Sequence, residues 1–135
     1  MLSSLLHKTM EEFGLSANLT LIPIPSSGQK IKERGFDSIT KLCESIIQKN
    51  TSLNLDASNL YLRRSVIDQV GLSAAQRHTN LDGAFGVRRT LHGKVVIVDD
   101  VVTTGATLNS AAKALKYAGA QQVFAVTLCG SPKTR

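Results

Sequence analysis

The sequence predicts a single α/β domain over residues 1–135, with a mainly parallel central sheet flanked by helices. Three observations carry that expectation. Val95–Val98 is an unbroken run of β-branched apolar residues, the composition of a strand covered on both faces. Apolar residues recur at helical spacing between such runs, so strand and helix alternate through most of the chain. A length of 135 residues buries one real core and falls short of two.

The elements follow in order. Leu2, Leu5, Leu6, Met10 and Phe13 share one helical stripe, and Gly14 supplies the stop. "NLTLIPIP" reads as a buried strand from Leu19 to Ile24, ended by prolines that cannot donate to a ladder. Ile39, Leu42, Cys43, Ile46 and Ile47 mark a second amphipathic helix from about Asp37 to Lys49, and Asn59–Arg64 is a short strand. Residues 66–90 are mixed and polar, interrupted by Gly71, Gly83 and Gly86, with room for a helical turn in "SAAQRHTNL". After the Val95–Val98 strand, Leu108, Ala111, Ala112 and Leu115 line one face of a helix that Gly119 closes. Gln122–Leu128 is a further buried strand.

Composition excludes several classes. No apolar run approaches the ~20 residues of a membrane helix, and no signal-peptide pattern opens the chain, so no membrane insertion is expected and the cytosol is the default location. Cys43 and Cys129 stand far apart without a CxxC pair, which reads as two buried apolar cysteines rather than a zinc site. His7, His78 and His92 form no metal-ligand or catalytic spacing. The net charge of +6 favours anionic partners without choosing among them, while an aromatic content of 4% offers no obvious stacking platform.

Chemistry concentrates in "VVIVDDVVTTGATL", Val95–Leu108. A strand, a loop and a helix in that order put the loop at the carboxyl end of the sheet, where open α/β folds bind ligands. Thr103, Thr104, Gly105, Ala106 and Thr107 fall where the helix begins, and there unpaired N–H groups and the positive end of the helix dipole suit a phosphate. Asp99 and Asp100 are unsuited to phosphate, but carboxylates accept from hydroxyls and hold hydrated Mg²⁺. A ligand with a phosphate at one end and a diol beside it, such as a ribose 5-phosphate, meets both demands. The plainer alternative is a strand-end turn with Thr107 capping a helix.

Every position from Val95 to Thr107 resembles the phosphoribosyl-pyrophosphate (PRPP) signature of type I phosphoribosyltransferases. The resemblance implies that Asp99 and Asp100 contact the ribose hydroxyls, that Thr103–Thr107 hold the 5-phosphate, and that Mg²⁺ arrives with PRPP. "IPIPSSGQKIKERGFDS" resembles the pyrophosphate loop of the same superfamily, which assigns Ser26, Ser27, Gly28 and Lys30 to the leaving group. Lys30, Lys32 and Arg34 suit either a pyrophosphate or a nucleic-acid backbone. Residues 68–85 lie where such enzymes carry a flexible loop that closes over the reaction centre, with Gln69, Arg77 and Asn80 as closure contacts.

Taken together with "LRRSVIDQVGLSAAQRHTNLDGAF", these pieces are similar to the ComF competence family, amidophosphoribosyltransferase-like proteins implicated in DNA uptake. Members commonly begin with a four-cysteine zinc ribbon, which is absent from this sequence. The resemblance implies a transferase that binds PRPP or a phosphoribosyl nucleotide and works in nucleotide metabolism, with homodimerisation frequent in the superfamily. Its alternative is a non-catalytic module that engages single-stranded DNA or competence proteins.

Overall fold

A computed structural model of the chain describes residues 2–15, 17–26, 37–63, 83–102 and 104–130. Its elements are α1 (Leu2–Glu12), β1 (Leu19–Pro23), α2 (Ser38–Ile47), β2 (Leu53–Leu55), β3 (Leu60–Leu62), β4 (Phe85–Val87), β5 (Lys94–Val102), α3 (Ala106–Tyr117) and β6 (Gln122–Gly130). A four-stranded sheet in the order β2-β1-β5-β6 is parallel throughout, and β3 and β4 form a separate antiparallel pair. The expected α/β class with a mainly parallel sheet is therefore the observed one.

β5 is the spine because its apolar run serves both faces at once. Val95 and Ile97 join Ile22, Leu60, Phe85, Ala111 and Leu115 in one cluster, beneath α3 and the β3–β4 pair. Val96 and Val98 join Leu6, Met10, Leu21, Ile39, Cys43 and Ile46 in the other, beneath α1 and α2. All four β5 side chains are fully buried. Period-two alternation sends neighbours to opposite faces, so a strand between two helical layers has no polar position in this stretch.

Each end has a local cause. Asp37 caps α2, its Oδ1 accepting from the N–H groups of Ile39 (3.1 Å) and Thr40 (3.4 Å). Gly119 stops α3 at φ +107°, and a Cβ there would lie 2.6 Å from the Leu91 carbonyl oxygen. Among the described residues, no helix is long and apolar enough to cross a membrane.

Several details differ from the sequence expectation. The α1 stripe is only partly used: Leu6 and Met10 are buried, whereas Leu5 and Phe13 are exposed. β2 was not anticipated, since three residues around the exposed Asn54 carry no periodicity. β4 was missed because Gly86 sits at its centre, and glycine reads as an interruption. Here it is a packing requirement: the Tyr61 ring lies across Gly86, and a Cβ would meet its Cζ at 2.5 Å. β6 is a half-buried edge strand rather than a fully buried one, and Cys129 on it is exposed, contrary to the expectation that both cysteines are buried. The "SAAQRHTNL" segment lies outside the described residues.

One buried polar side chain ties the start of β3 to the residues that follow β4. Asn59, 1% exposed, accepts through Oδ1 from the backbone N–H groups of Arg88 (3.0 Å) and Arg89 (2.8 Å) and donates through Nδ2 to the Arg89 carbonyl (3.3 Å). Asn59→Ala strands these backbone groups and is expected to cost about 2 kcal/mol, read as a lowered urea midpoint with an unchanged slope. Burial, reinforced by Asp37 and Glu44, pushes the Cys43 thiol from 9.0 up to about 12. The native protein keeps this proton where an unfolded thiol has lost it, so stability falls as pH rises from about 9 towards 12. Cys43→Ala should flatten that alkaline decline in denaturation curves, and at neutral pH a thiol reagent should modify Cys129 alone until the protein unfolds.

Candidate functional site at the carboxyl ends of β1 and β5

The sheet reverses its winding between β1 and β5. From β1 the chain passes through α2 to β2 on one side; from β5 it passes through α3 to β6 on the other. α2 and α3 consequently cover opposite faces. β1 and β5 thus lead into helices on opposite layers, and their carboxyl ends stand side by side at the switch point, the standard ligand position in open α/β sheets. Both loops singled out in the sequence start from these two strand ends.

β5 overhangs its neighbour. β1 pairs with it only as far as Pro23 opposite Val98, with Ile24 N–H donating to the Val98 carbonyl at 2.9 Å. On the other side β6 stays paired out to Val102 opposite Gly130. Asp99 and Asp100 therefore lie within the strand rather than in the loop, on the overhanging segment that borders the β1 exit. Both are partly buried.

Strand alternation sends adjacent side chains to opposite faces, which puts Asp99 on the Val95–Ile97 side and Asp100 on the Val96–Val98 side. A ligand that meets both must lie across the end of the strand. Each carboxylate is steered by the next backbone N–H: Asp99 Oδ1 accepts from Asp100 at 2.9 Å, and Asp100 Oδ1 from Val101 at 2.8 Å. Among the described residues the second oxygen of Asp100 has no protein donor.

Gly105 is the N-cap of α3, at φ +78° and ψ +1°, a left-handed conformation that an L side chain resists. An added Cβ would meet nothing within 4 Å, so conformation and not crowding demands glycine here. Thr107 is the second residue of the helix and does not cap it. The first intrahelical bond runs from Asn109 N–H to the Gly105 carbonyl at 2.9 Å. Ahead of it, Ala106 N–H is taken up by Thr104 Oγ1 at 3.3 Å, while the N–H groups of Thr107 and Leu108 have no acceptor among the described residues. These donors sit at the positive end of a three-turn helix, an arrangement suited to an anion. Thr104, Gly105, Ala106 and Thr107 thus stand as expected at the helix start; Thr103 lies outside the described residues.

Of the other loop, the described residues include the base. Ser26 Oγ donates to Asp37 Oδ1 at 3.2 Å, the same oxygen that caps α2, so the two ends of segment 27–36 are tied together. Ser26, one of the residues expected to hold the pyrophosphate, uses its hydroxyl in this bond to Asp37. Asp37 opens α2 where the sequence places the helix start, and its second role as acceptor for Ser26 is what sequence reasoning missed. Ser27, Gly28 and Lys30, with Lys32 and Arg34, lie outside the described residues, as do Gln69, Arg77 and Asn80.

Residues 61–135 match the family model of the phosphoribosyl transferase domain, and the chain belongs to that family. Its curated relatives carry names from DNA metabolism. The chain is 32% identical over 117 residues to the DNA utilization protein YhgH of Escherichia coli K12, covering 86% of this chain and 51% of that protein. It is also 32% identical over 108 residues to competence protein F of Haemophilus influenzae, covering 76% of this chain and 46% of that one. The chain thus spans about half the length of the curated relatives it matches. Among solved structures, a hypoxanthine phosphoribosyltransferase from Staphylococcus aureus aligns with a TM-score of 0.61 at 15% identity, over 99% of this chain and 65% of that one. At that identity the likeness shows the shared fold.

Gly105→Ala is expected to lower unfolding stability by about 1 kcal/mol through backbone strain alone, and Gly105→Asn by less, because asparagine tolerates the left-handed region better. Equal losses in urea titrations of the two variants would contradict the conformational origin.

Proposed function

We propose that this chain binds Mg²⁺-PRPP in the crevice between the β1 and β5 loops and transfers its phosphoribosyl group to an acceptor nitrogen. One observation carries the reading: the reversal of winding between β1 and β5 brings a left-handed glycine with open helix N–H groups and a carboxylate-bearing strand overhang to the same sheet edge. The N–H groups of Thr107 and Leu108 bind the 5-phosphate, with Thr103 and Thr104 hydroxyls beside them. Asp99 and Asp100 accept from the ribose hydroxyls across the strand end. Their hard oxygens also suit a hydrated Mg²⁺, which neutralises charge on the pyrophosphate.

In the transfer, the C1–oxygen bond to pyrophosphate breaks, the acceptor nitrogen forms a bond to C1, and the acceptor gives up a proton. Positive charge grows on the sugar as the leaving group departs. Two carboxylates on the strand overhang stabilise that charge more than they stabilise the neutral sugar. The Ser26–Asp37 tie anchors the loop that holds the departing pyrophosphate.

A second reading has its own support. The names of the curated relatives, DNA utilization protein and competence protein F, favour a module in DNA uptake that keeps PRPP or a nucleotide as an effector without turnover. Its signature is calorimetric PRPP binding with no pyrophosphate released for any base or amine tried.

The Asp99→Asn, Asp100→Asn double variant is expected to fold normally and to lose pyrophosphate release at least a hundredfold, since each carboxylate acts on the charged transition state. Wild-type rates from the folded double variant would remove both residues from the mechanism.

A further inference from the structure

β6 runs beside the overhang of β5 and is apolar along most of its length. It holds no charged residue and one hydroxyl, that of Thr127. The parallel register sets Thr127 directly opposite Asp99. Face as well as level agrees. Phe124, Val126 and Leu128 pack into the cluster beneath α1 and α2, while Val123 packs into the one beneath α3, so alternation turns Thr127 to the α3 side. Asp99 shares that side with Val95 and Ile97. Adjacent strands lie about 5 Å apart, which stands the Thr127 side chain next to the Asp99 carboxylate.

Thr127 is partly buried, and among the described residues its hydroxyl has no hydrogen-bond partner. Strand stability does not ask for a hydroxyl here. Valine has the same branched shape, favours strands as well, and already fills two other positions of β6. A hydroxyl at this level with no partner in the protein is available to a ligand.

The sugar phosphate assigned to Asp99 and Asp100 needs such a group. An ionised carboxylate only accepts hydrogen bonds, whereas each hydroxyl of a sugar diol both donates and accepts. Two carboxylates therefore take up the protons of the diol and supply nothing to its oxygens. The nearest backbone N–H groups, of Asp100 and Val101, already donate to the acids themselves. We propose that the Thr127 hydroxyl donates to the sugar hydroxyl from which Asp99 accepts, and so acts as a specificity-determining residue for the diol. The assignment rests on the sugar-phosphate reading of the site and adds a selectivity to it: a phosphate without a diol gains nothing from Thr127.

Calorimetry on the whole chain with ribose 5-phosphate and with inorganic phosphate tests this role. Thr127→Val is expected to weaken ribose 5-phosphate binding about three- to tenfold, the effect of one hydrogen bond, and to leave the binding of inorganic phosphate unchanged. Thr127→Ser keeps the hydroxyl and is expected to bind ribose 5-phosphate as wild type does. Valine suits a strand, so the urea midpoint of Thr127→Val should equal or exceed that of wild type. Equal affinity of wild type and Thr127→Val for ribose 5-phosphate overturns the assignment. So does an equal loss for both ligands, which marks a displaced strand, and so does a serine variant as weak as the valine one. Wild-type protein that binds neither ribose 5-phosphate nor Mg²⁺-PRPP brings down the sugar-phosphate reading and this assignment with it, a result distinct from a failure confined to the variants.

Discussion

The parallel pairing of β1 with β5, from Leu19 opposite Lys94 to Pro23 opposite Val98, is the constraint on which the rest of the structure depends. It makes neighbours of two strands that lie some seventy residues apart in sequence. Once they are paired, the short crossovers α2 and α3 must lead away from each other, because each returns its chain to the strand on its own outer side. The switch point at the carboxyl ends of β1 and β5 is a by-product of that geometry, and so is the three-layer core. Val95 to Val98 can be wholly apolar only because each face of β5 meets a helical layer.

Electrostatics at the site follows from the same strand. A helix N-terminus attracts anions, yet two carboxylates stand a few residues upstream of it. The conflict is resolved by where the strand stops. β5 continues past β1 and carries Asp99 and Asp100 along the overhang, while the turn at Gly105 takes the chain off in a new direction before the helix N–H groups appear. Acidic side chains and open helix amides are thereby neighbours in sequence that stand on different elements, the strand overhang and the helix start. The backbone N–H groups of Asp100 and Val101, by holding one oxygen of each acid, limit how far those carboxylates can swing toward the helix start.

Much of this was legible because it rests on local rules. The helix from Asp37, the stop at Gly119 and the left-handed need at Gly105 all follow from residue chemistry within a few positions. What escaped notice depended on partners distant in sequence. Gly86 reads as an interruption until the Tyr61 ring is laid over it, and Asn59 reads as a surface residue until the Arg88 and Arg89 amides are brought to it. Nothing in the surroundings of Ser26 reveals Asp37, eleven residues on, as the acceptor of its hydroxyl.

By itself the sequence determined the class of fold, the order of its elements and the loop after β5, because apolar period, glycine conformation and helix capping act over a few residues. Only the tertiary structure decided that the carboxyl ends of β1 and β5 stand side by side at the switch point and that β6 forms an edge. Those are properties of register and neighbour order, set by which strands pair across long loops, and no local pattern encodes them.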